Sequence, residues 1–380
     1  MTDFYDPPPI EPDRLPGDLL RMRPSFLPQL PTVGGAWQIL YVSTNSRGGL
    51  IPASGIVILP DTDSTQLPGA GGLLVYYPPF HGLGGACAPS QRLPLGDTPD
   101  TAPIAAALDQ GWFVAVVDGE GLGVSGVGPH TFLASHAGGR VVLDLARAAQ
   151  RIPDLDSLDG DLPVMPVTAW GYGDGGRAVA VAGELHQRYA PELDLRGVCA
   201  GAVASDLAAL GPATEDGIHA ALGMAALIGL SRAYPHVPLR RVLTDEGQNF
   251  ANEAENCIST ELFERVRLPL AHWCRREDPW ADPVWRQVLS YETVAHTAPL
   301  VPLHLYHGHT DRIVPVQAGL RTLIAYRQRG AQLTWCEYDA GHAETAVLAI
   351  SDVLARLAGT LTRAIHPDPV IDAPEHTARP

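Results

Sequence analysis

Apolar residues follow two alternating patterns along this chain: short consecutive runs and longer stretches of helical periodicity. Consecutive apolar runs are typical of strands that are buried on both faces of a parallel sheet. Six such runs are predicted as strands: Gly72–Tyr77, Trp112–Asp118, Val164–Gly171, Leu195–Ala204, Val301–His307 and Gln332–Tyr338. The predicted helices between and after them are Thr101–Gln110, Gly138–Arg151, Gly175–Tyr189, Val316–Arg329 and Glu344–Ala364. This alternation predicts an α/β fold, a doubly wound, mostly parallel sheet with helices on both faces.

Two regions depart from this alternation. Ala36–Thr44 and Ser54–Leu59 predict an opening antiparallel pair, because a turn-forming segment joins them. Residues 206–296 show no convincing strand but contain helical patterns such as Gly217–Leu230 and Ser259–Trp273, which predict a helical cap or lid inserted between two strands. The predicted parts are therefore an irregular N-terminal wrap at 1–35, a core at 36–205 and 297–365, a cap at 206–296, and a loosely held tail at 366–380.

Composition and charge remove several classes of function. The chain has 380 residues, of which 46% are hydrophobic and 18% charged, as expected of a globular enzyme and not of a disordered chain. The net charge of −16 makes nucleic acid and anionic membranes poor partners, and no apolar run is long enough to span a bilayer. All 26 basic residues are arginine, so mechanisms that need a Schiff-base or Walker-type lysine are excluded.

The sequence predicts neither a cofactor nor a metal. The five cysteines lack CxxC spacing, which argues against zinc and dithiol redox sites. His304, His307 and His309 form a histidine cluster, but no matching carboxylate pattern accompanies them, so we interpret them as structural. The N-terminus has neither a basic segment nor an apolar signal segment, and we therefore expect a cytoplasmic protein, with a secreted mature form as the alternative.

Three sites at predicted strand ends carry the candidate chemistry. The strand ending at Trp170 leads into Gly171–Gly176 and then directly into a helix, the small-x-nucleophile-x-small pattern of a nucleophile elbow with Gly173 at its centre. Asp311 follows one late strand and His342 follows the next. Nucleophile, acid and histidine in this chain order are typical of an α/β hydrolase. No other histidine has a predicted acid partner.

Over most of its length the chain resembles the secretory lipase family (lipase A type) of the α/β-hydrolase superfamily. The motifs that carry this resemblance are Phe4–Pro8, Gly17–Arg21, Asp118–Gly123, Gly128–His130, Gly171–Gly176, His307–Gly308 with Asp311 and Val314–Pro315, and Gly341–His342. Members of this family hydrolyse esters and lipids with a Ser-Asp-His triad under a helical lid. The resemblance thus implies an α/β-hydrolase fold, with Asp311 as the triad acid and His342 as the base. It also makes Cys87 and Cys257 candidates for a disulfide between core and cap.

The chain departs from this family at one position. The family elbow carries serine where this chain has Gly173, and glycine offers no side chain for a covalent acyl-enzyme. Asp174 as a replacement nucleophile is not favoured, because Tyr172 would then occupy a position that needs a small residue. Tyr77 and His81 belong to the segment expected to supply the second oxyanion donor. Together with Asp174 and Tyr172 they are the predicted oxyanion-site and pocket residues.

Three functional hypotheses follow. We favour an enzyme of hydrolase descent in which His342, oriented by Asp311, performs acid–base chemistry on a bulky, hydrophobic, carbonyl-containing small molecule. Additions, cyclisations, eliminations and carbon–carbon bond formation all belong to this class, and a tailoring step on a polyketide-like metabolite would suit the cap. The alternatives are a serine esterase or lipase in which glycine has replaced the nucleophile at position 173, and a catalytically dead ligand-binding protein. A dead site has no need of the Asp311–His342 pair, which argues against the last.

Overall fold

A nine-stranded sheet forms the centre of the computed structural model, which describes residues 3–61, 71–152, 165–208, 210 and 218–362. The predicted tail at 366–380 lies outside the described residues. In chain order the strands are β1 (Leu19–Pro24), β2 (Gly35–Thr44), β3 (Leu50–Leu59), β4 (Leu73–Tyr77), β5 (Phe113–Val117), β6 (Val167–Tyr172), β7 (Leu195–Gly201), β8 (Leu303–Gly308) and β9 (Leu333–Tyr338).

The sheet combines an antiparallel edge with a parallel centre. Its order is β1-β2-β3-β5-β4-β6-β7-β8-β9, and every pair from β5 through β9 is parallel, whereas β1, β2 and β3 join antiparallel. All residues of β4, β5, β6 and β8 are buried, which explains their consecutive apolar sequences. The predicted mostly parallel sheet is confirmed.

Helices cover both faces of the sheet. The described helices are α1 (Pro89–Arg92), α2 (Thr101–Leu108), α3 (Ser135–Ala149), α4 (Asp174–Tyr189), α5 (Ile218–Ala233), α6 (Asp245–Ala254), α7 (Ser259–Arg265), α8 (Pro283–Tyr291), α9 (Val316–Gln328), α10 (His342–Leu348) and α11 (Ile350–Leu361). Apolar side chains of α3, α4 and α9 pack in one cluster with one face of the sheet, and those of α2 and α11 pack in another cluster with the opposite face. The doubly wound arrangement is therefore also confirmed.

Helices α5 to α8 lie between β7 and β8 in the chain and have their own apolar core. Trp285 of α8 is fully buried in that core, which also includes Leu83, Phe132 and Ala137 from segments that precede the elbow. This helical unit, called the cap below, thus packs on the loops at the end of the sheet where the predicted site residues lie. Among the described residues of 206–296, only an isolated bridge between Leu243 and Cys274 has β pairing within the cap.

Local differences from the predicted elements have identifiable causes. The segment expected to be an irregular wrap, residues 1–35, contains β1, which pairs with β2. Its sequence, LLRMRP, has no clean alternation because it is a half-exposed edge strand. The predicted helix at Glu344–Ala364 is two helices, α10 and α11, separated at Ala349, and its last two residues lie outside the described part. The helix predicted over Ser259–Trp273 ends at Arg265, shortly before Pro269.

Candidate active site

The turn between β6 and α4 is an elbow built on close backbone approaches. Gly173, with φ +60° and ψ −117°, separates the last strand residue from Asp174, the first residue of α4. A Cβ on Gly171 would lie 2.2 Å from the Gly175 carbonyl oxygen, and one on Gly175 would lie 2.1 Å from the Tyr77 carbonyl oxygen. The positions two residues before and two residues after Gly173 therefore both require glycine. Because Gly173 has the left-handed backbone, the central residue of the elbow is Gly173 and not Asp174.

His342 faces the centre of this elbow. A Cβ built on Gly173 would meet only His342, with Nε2 at 3.7 Å and Cε1 at 3.9 Å, which is ordinary van der Waals contact. His342 is the first residue of α10, directly after the loop that follows β9. The space in front of the imidazole is therefore bounded by a residue without a side chain.

Asp311 holds the other side of the imidazole. Its Oδ2 lies 2.6 Å from Nδ1 of His342, and its Oδ1 accepts hydrogen bonds from the N–H groups of Ile313 and Val314, both at 2.8 Å. Since a carboxylate only accepts, Nδ1 carries the proton and the lone pair of Nε2 points toward Gly173. The structure thus brings together the three residues that the sequence placed at separate strand ends.

Tyr172 and His307 contact the Asp311–His342 pair on the side away from the cavity. The Tyr172 hydroxyl donates to the His342 carbonyl oxygen at 2.7 Å, and the two rings lie 4.8 Å apart. Burial, followed by the charge of Asp311, raises the pKa of Tyr172, which therefore stays protonated as a donor. His307 is fully buried, with Nε2 2.8 Å from the Val314 carbonyl oxygen and 3.7 Å from Asp311 Oδ2, and burial lowers its pKa. Both residues hold the pair in place without entering the cavity.

A cavity of about 250 Å³ lies between the elbow and the cap. Its walls are mostly apolar, and the polar side chains among its lining residues are Asp174, Arg177, His219, Trp280 and His342. The remaining lining residues are Pro79, Phe80, Phe132, Leu133, Gly173, Ala202, Ala204, Leu207, Leu210, Leu222, Gly223, Ala226, Phe263, Leu289, Ile313 and Val314. An apolar chamber with a few convergent polar groups is typical of a small-molecule site.

The expectation that Tyr77, His81 and Tyr172 line this cavity has to be corrected. None of them is among its described lining residues; Tyr77 and His81 border a separate, much smaller cavity, and Tyr172 lies beneath His342. The physical reason is the sequence after β4, where Pro78 and Pro79 direct the chain so that Pro79 and Phe80 face the main cavity. Proline has no N–H, so this segment offers no backbone oxyanion donor at either position.

The structure also reveals acid–histidine pairs that the sequence did not predict. His81 Nε2 lies 2.6 Å from Asp100 Oδ2, and His130 Nε2 lies 3.5 Å from Asp174 Oδ2. The expectation that only His342 has an acid partner is therefore wrong. These contacts join residues of different segments, and no spacing along the chain signals them. The only sequence signal for His130 was its place in a motif shared with the family.

Arg177 is a further residue that the sequence analysis missed. It is fully buried one turn into α4, and its guanidinium donates to Ser135 Oγ and to the carbonyl oxygens of Ala204, Ser205 and Glu292. Burial lowers its pKa. These bonds tie α4 to the segments leading into and out of the cap.

The five cysteines are free thiols. The proposed core–cap pair lies close together, since Cys87 Sγ is 3.6 Å from the Cys257 carbonyl oxygen, but the two are not bonded. The three clustered histidines have separate partners: Thr334 for His304, Val314 for His307 and Glu337 for His309. Within the described ranges, no group of three or more histidine, cysteine, aspartate or glutamate side chains is placed to hold a metal ion. In the same ranges, no helix is both long and apolar enough to cross a membrane.

Sheet order, elbow and the strand-end acid–histidine pair define an α/β-hydrolase fold. Comparison of the sequence with protein-family models narrows this class, because the secretory lipase model matches residues 95–362. The chain belongs to the secretory lipase family, as its motifs had suggested.

Relatives agree with this assignment, and solved structures agree with the fold. Lipase A of Arthroderma benhamiae is 26% identical over 338 residues, covering 82% of this chain and 69% of the relative, and Lipase 10 of Candida albicans is 27% identical over 393 residues, covering 94% and 80%. In fold, the chain is similar to the closed state of Candida antarctica lipase A, with a TM-score of 0.81, 23% identity, and coverage of 97% of this chain and 89% of that one. The esterase LipA from Xanthomonas oryzae follows with a TM-score of 0.75, 20% identity, and coverage of 91% and 99%.

The cytoplasmic location expected from the sequence is wrong. The matching family is one of secretory lipases, and a relative from Malassezia furfur, 25% identical over 366 residues that cover 90% of this chain and 72% of the relative, is named a secreted triacylglycerol lipase. These relationships point to extracellular secretion.

Proposed function

We propose that this protein uses His342, oriented by Asp311, as a general base on an apolar carbonyl compound, without a covalent intermediate on residue 173. The observation that carries the proposal is the position of His342 Nε2, 3.7 Å from where a Cβ of residue 173 would stand, in front of a glycine. A base aimed at this point can reach a proton of a bound molecule directly. General bases of this kind contribute about 10²–10⁴-fold to a rate.

The N-terminus of α4 offers a place for the carbonyl oxygen of the substrate. The first N–H groups of a helix have no acceptor within the helix, and α4 begins at Asp174, beside the cavity. These N–H groups and the positive end of the helix favour negative charge. An oxygen that becomes negative when His342 removes a neighbouring proton would be stabilised there.

The walls of the cavity support a bulky apolar substrate. Phe80, Phe132, Leu222, Phe263 and Leu289 come from both core and cap and enclose the space in front of the elbow. Ring systems or acyl chains would bury apolar surface against them, while the carbonyl group would take the polar end at Gly173. We include nucleic acid neither as substrate nor as partner, because of the net charge of −16.

Exchange of the α-hydrogens of simple ketones with solvent deuterium tests this proposal. We expect the protein to accelerate exchange in at least one member of a series from cyclohexanone through 1-indanone to a three-ring ketone. His342→Ala should reduce that rate by about 10²–10⁴-fold while binding of the ketone persists. A parent protein that accelerates none of these exchanges, or a His342→Ala variant as fast as its parent, would overturn the proposal.

Family membership favours a second candidate, an ester hydrolase that has lost its serine. Here Gly173→Ser is the informative variant, since the new Cβ would meet only His342, at an ordinary contact distance. We expect no fluorophosphonate labelling of the parent, but labelling at residue 173 and p-nitrophenyl ester hydrolysis in Gly173→Ser. A folded Gly173→Ser variant that neither reacts with fluorophosphonate nor hydrolyses the ester faster than the parent would contradict this second candidate.

A further inference from the structure

The carboxyl group of Asp174 lies directly beside the elbow and has two polar partners. Asp174 follows Gly173 in the chain and is among the residues that line both the main cavity and the smaller one behind Phe80. Its Oδ1 accepts from the Leu133 N–H at 3.1 Å, and its Oδ2 lies 3.5 Å from Nε2 of His130. Only 7% of the Asp174 side chain and 4% of the His130 side chain is exposed, so solvent hardly screens this pair.

The second nitrogen of His130 determines where the protons are. His130 Nδ1 lies 2.9 Å from the Glu120 carbonyl oxygen, which can only accept, so Nδ1 carries a proton. A neutral His130 would then turn the lone pair of Nε2 toward Asp174 Oδ2. With an ionised carboxylate, two lone pairs would face each other in a buried site. One additional proton, on Nε2 or on Oδ2, converts this repulsion into attraction.

Arg177 also carries a positive charge that acts on Asp174, but its hydrogen bonds go elsewhere. It directs its N–H groups to Ser135 Oγ and to backbone carbonyl oxygens instead. The rings of Phe80 and Phe132 each lie 6.4 Å from the His130 ring and exclude water from it. A negative charge on Asp174 without its proton would also oppose an oxyanion at the N-terminus of α4.

We propose that His130 and Asp174 share one proton beside Gly173 and that Asp174 delivers it to the substrate oxygen. The inference rests on the function proposed above and adds a general acid opposite the base. His342 Nε2 removes a proton from the carbon next to the carbonyl group, and the electrons of that C–H bond form a C=C bond. The π electrons of the carbonyl group move to oxygen, which takes the proton from Asp174 to give a neutral enol. His342 is then an imidazolium, and the His130–Asp174 pair has one proton fewer.

The segment after β4 explains why such an acid is needed. In α/β hydrolases a loop N–H supplies the second oxyanion donor. Here Pro78 and Pro79 have no N–H, and Pro79 itself lines the cavity. A proton held by Asp174 would neutralise developing charge that these two positions cannot stabilise through an N–H. In this scheme Asp174 is a catalytic residue, and His130 is a positioning residue that keeps the proton on the pair.

Ketone exchange in matched variants tests the acid. We expect Asp174→Asn, which keeps the shape and the acceptor for the Leu133 N–H, to slow exchange by about 10²-fold or more with little change in KM. His130→Gln should also lower the kcat of ketone exchange. The matched control is Asp100→Asn, which alters the His81–Asp100 pair, away from the lining of the main cavity, and should leave exchange unchanged. Exchange in Asp174→Asn at the parent rate, with His342→Ala inactive, would overturn this inference and leave the proposed function standing.

Spectroscopy tests the proton independently of any substrate. Near neutral pH, either both ring nitrogens of His130 are protonated, seen by 15N NMR and assigned with His130→Gln, or a carboxylic acid band in the infrared spectrum disappears in Asp174→Asn. A neutral His130 with neither signal would overturn the shared proton, whether or not the protein exchanges ketones. If either signal is seen in a protein that exchanges no ketone, the signal supports the shared proton, and the missing exchange contradicts only the proposed function.

Discussion

At the scale of single residues, the elbow depends on backbone atoms that come closer than any side chain allows. Gly171 and Gly175 are needed because carbonyl oxygens occupy the places their Cβ atoms would take. Gly173 is different, because its positive φ favours glycine while the space before it admits a Cβ. A serine there would carry backbone strain of about 1–3 kcal/mol, as residues at functional elbows do.

Gly175→Ala is expected to destabilise the protein severely. Its Cβ would lie 2.1 Å from the Tyr77 carbonyl oxygen and 2.7 Å from that of Pro78, and neither backbone segment can move without displacing β4. We expect a loss of at least about 3 kcal/mol in the free energy of unfolding, measured by urea denaturation. Gly359→Ala, in α11, is the control, because its Cβ would meet no described atom outside its own helix within 4 Å, and it should stabilise the protein by about 0.5–1 kcal/mol. Equal effects of the two substitutions would contradict this account.

Sequence order was sufficient to find the residues that stand at strand ends. Asp311 and His342 follow parallel strands, and the carboxyl ends of parallel strands meet at one edge of a sheet. Tyr77 and His81, which lie on either side of the two prolines, were misplaced because chain order does not tell which cavity a side chain borders. His130 lies in a loop and Asp174 begins α4, and their contact is a product of tertiary packing alone. Linear sequence therefore predicts that His342 and Asp311 meet, but not which groups share the elbow with them.

At the scale of elements, a buried hydrogen bond joins two strands across a third. Trp170 of β6 donates from Nε1 to the Tyr306 hydroxyl of β8 at 2.9 Å, above Cys199 and Gly201 of β7. A Cβ on Gly201 would lie 2.4 Å from atoms of both Tyr172 and Tyr306, so glycine lets these rings approach. This packing fixes Tyr172, whose hydroxyl holds the backbone of His342.

Tyr306→Phe should therefore lower the free energy of unfolding more than the loss of an exposed tyrosine hydrogen bond does. It removes the acceptor of a fully buried indole N–H, for which we expect a loss of about 1–3 kcal/mol in urea denaturation. Tyr338→Phe in β9 removes an exposed hydrogen bond to Asp352 and serves as the control, with an expected loss below about 1 kcal/mol. A loss for Tyr306→Phe no larger than the control's would show that the buried bond contributes nothing.

The parallel strands were predictable because they are buried on both faces and therefore apolar at consecutive positions. β1 was not predicted, since a half-exposed edge strand containing two arginines satisfies no simple period. The break between α10 and α11 was also missed, because alanines at the junction suit a helix on either side. Patterning thus identifies elements where burial is uniform and misses them where exposure changes within a few residues.

At the scale of the whole molecule, Glu292 connects cap and core. It lies at the end of α8 and is fully buried. It accepts from the hydroxyl of Tyr234, which directly follows α5, and from the His136 N–H of α3, and its carbonyl oxygen accepts from Arg177. Burial raises its pKa from 4.5 to about 7. The folded protein thus binds this proton more tightly than the unfolded chain does.

Stability should therefore fall as pH rises from about 4.5 to about 7. Below this window Glu292 is protonated in both states, and above it the folded state holds a buried charge, so the contribution lost is up to about 3 kcal/mol. Urea denaturation across this range measures it. Glu292→Gln should flatten the dependence, and the exposed Glu264→Gln should retain it. An unchanged pH dependence in Glu292→Gln would assign it to other groups.

The cytoplasmic location that the sequence wrongly predicted is also a property of the whole molecule. A secretion signal acts outside the folded domain, so the hydrophobic pattern of the domain does not report on it. The hydrophobic periodicity that predicts the sheet is the same on either side of a membrane. Composition therefore informs on fold and partners, whereas kinship with secretory lipases informs on location.

The strand order has a consequence for how heat would inactivate the protein. Gly173 follows β6, an inner strand whose residues are all buried, whereas His342 follows β9, an edge strand with none of its residues fully buried. Edge elements open locally at a lower free energy than central ones, and hydrogen exchange reports this difference. Fluctuations of β9 would carry the imidazole away while the elbow keeps its shape. Catalysis would then fail at a lower temperature than the fold, and it would recover on cooling.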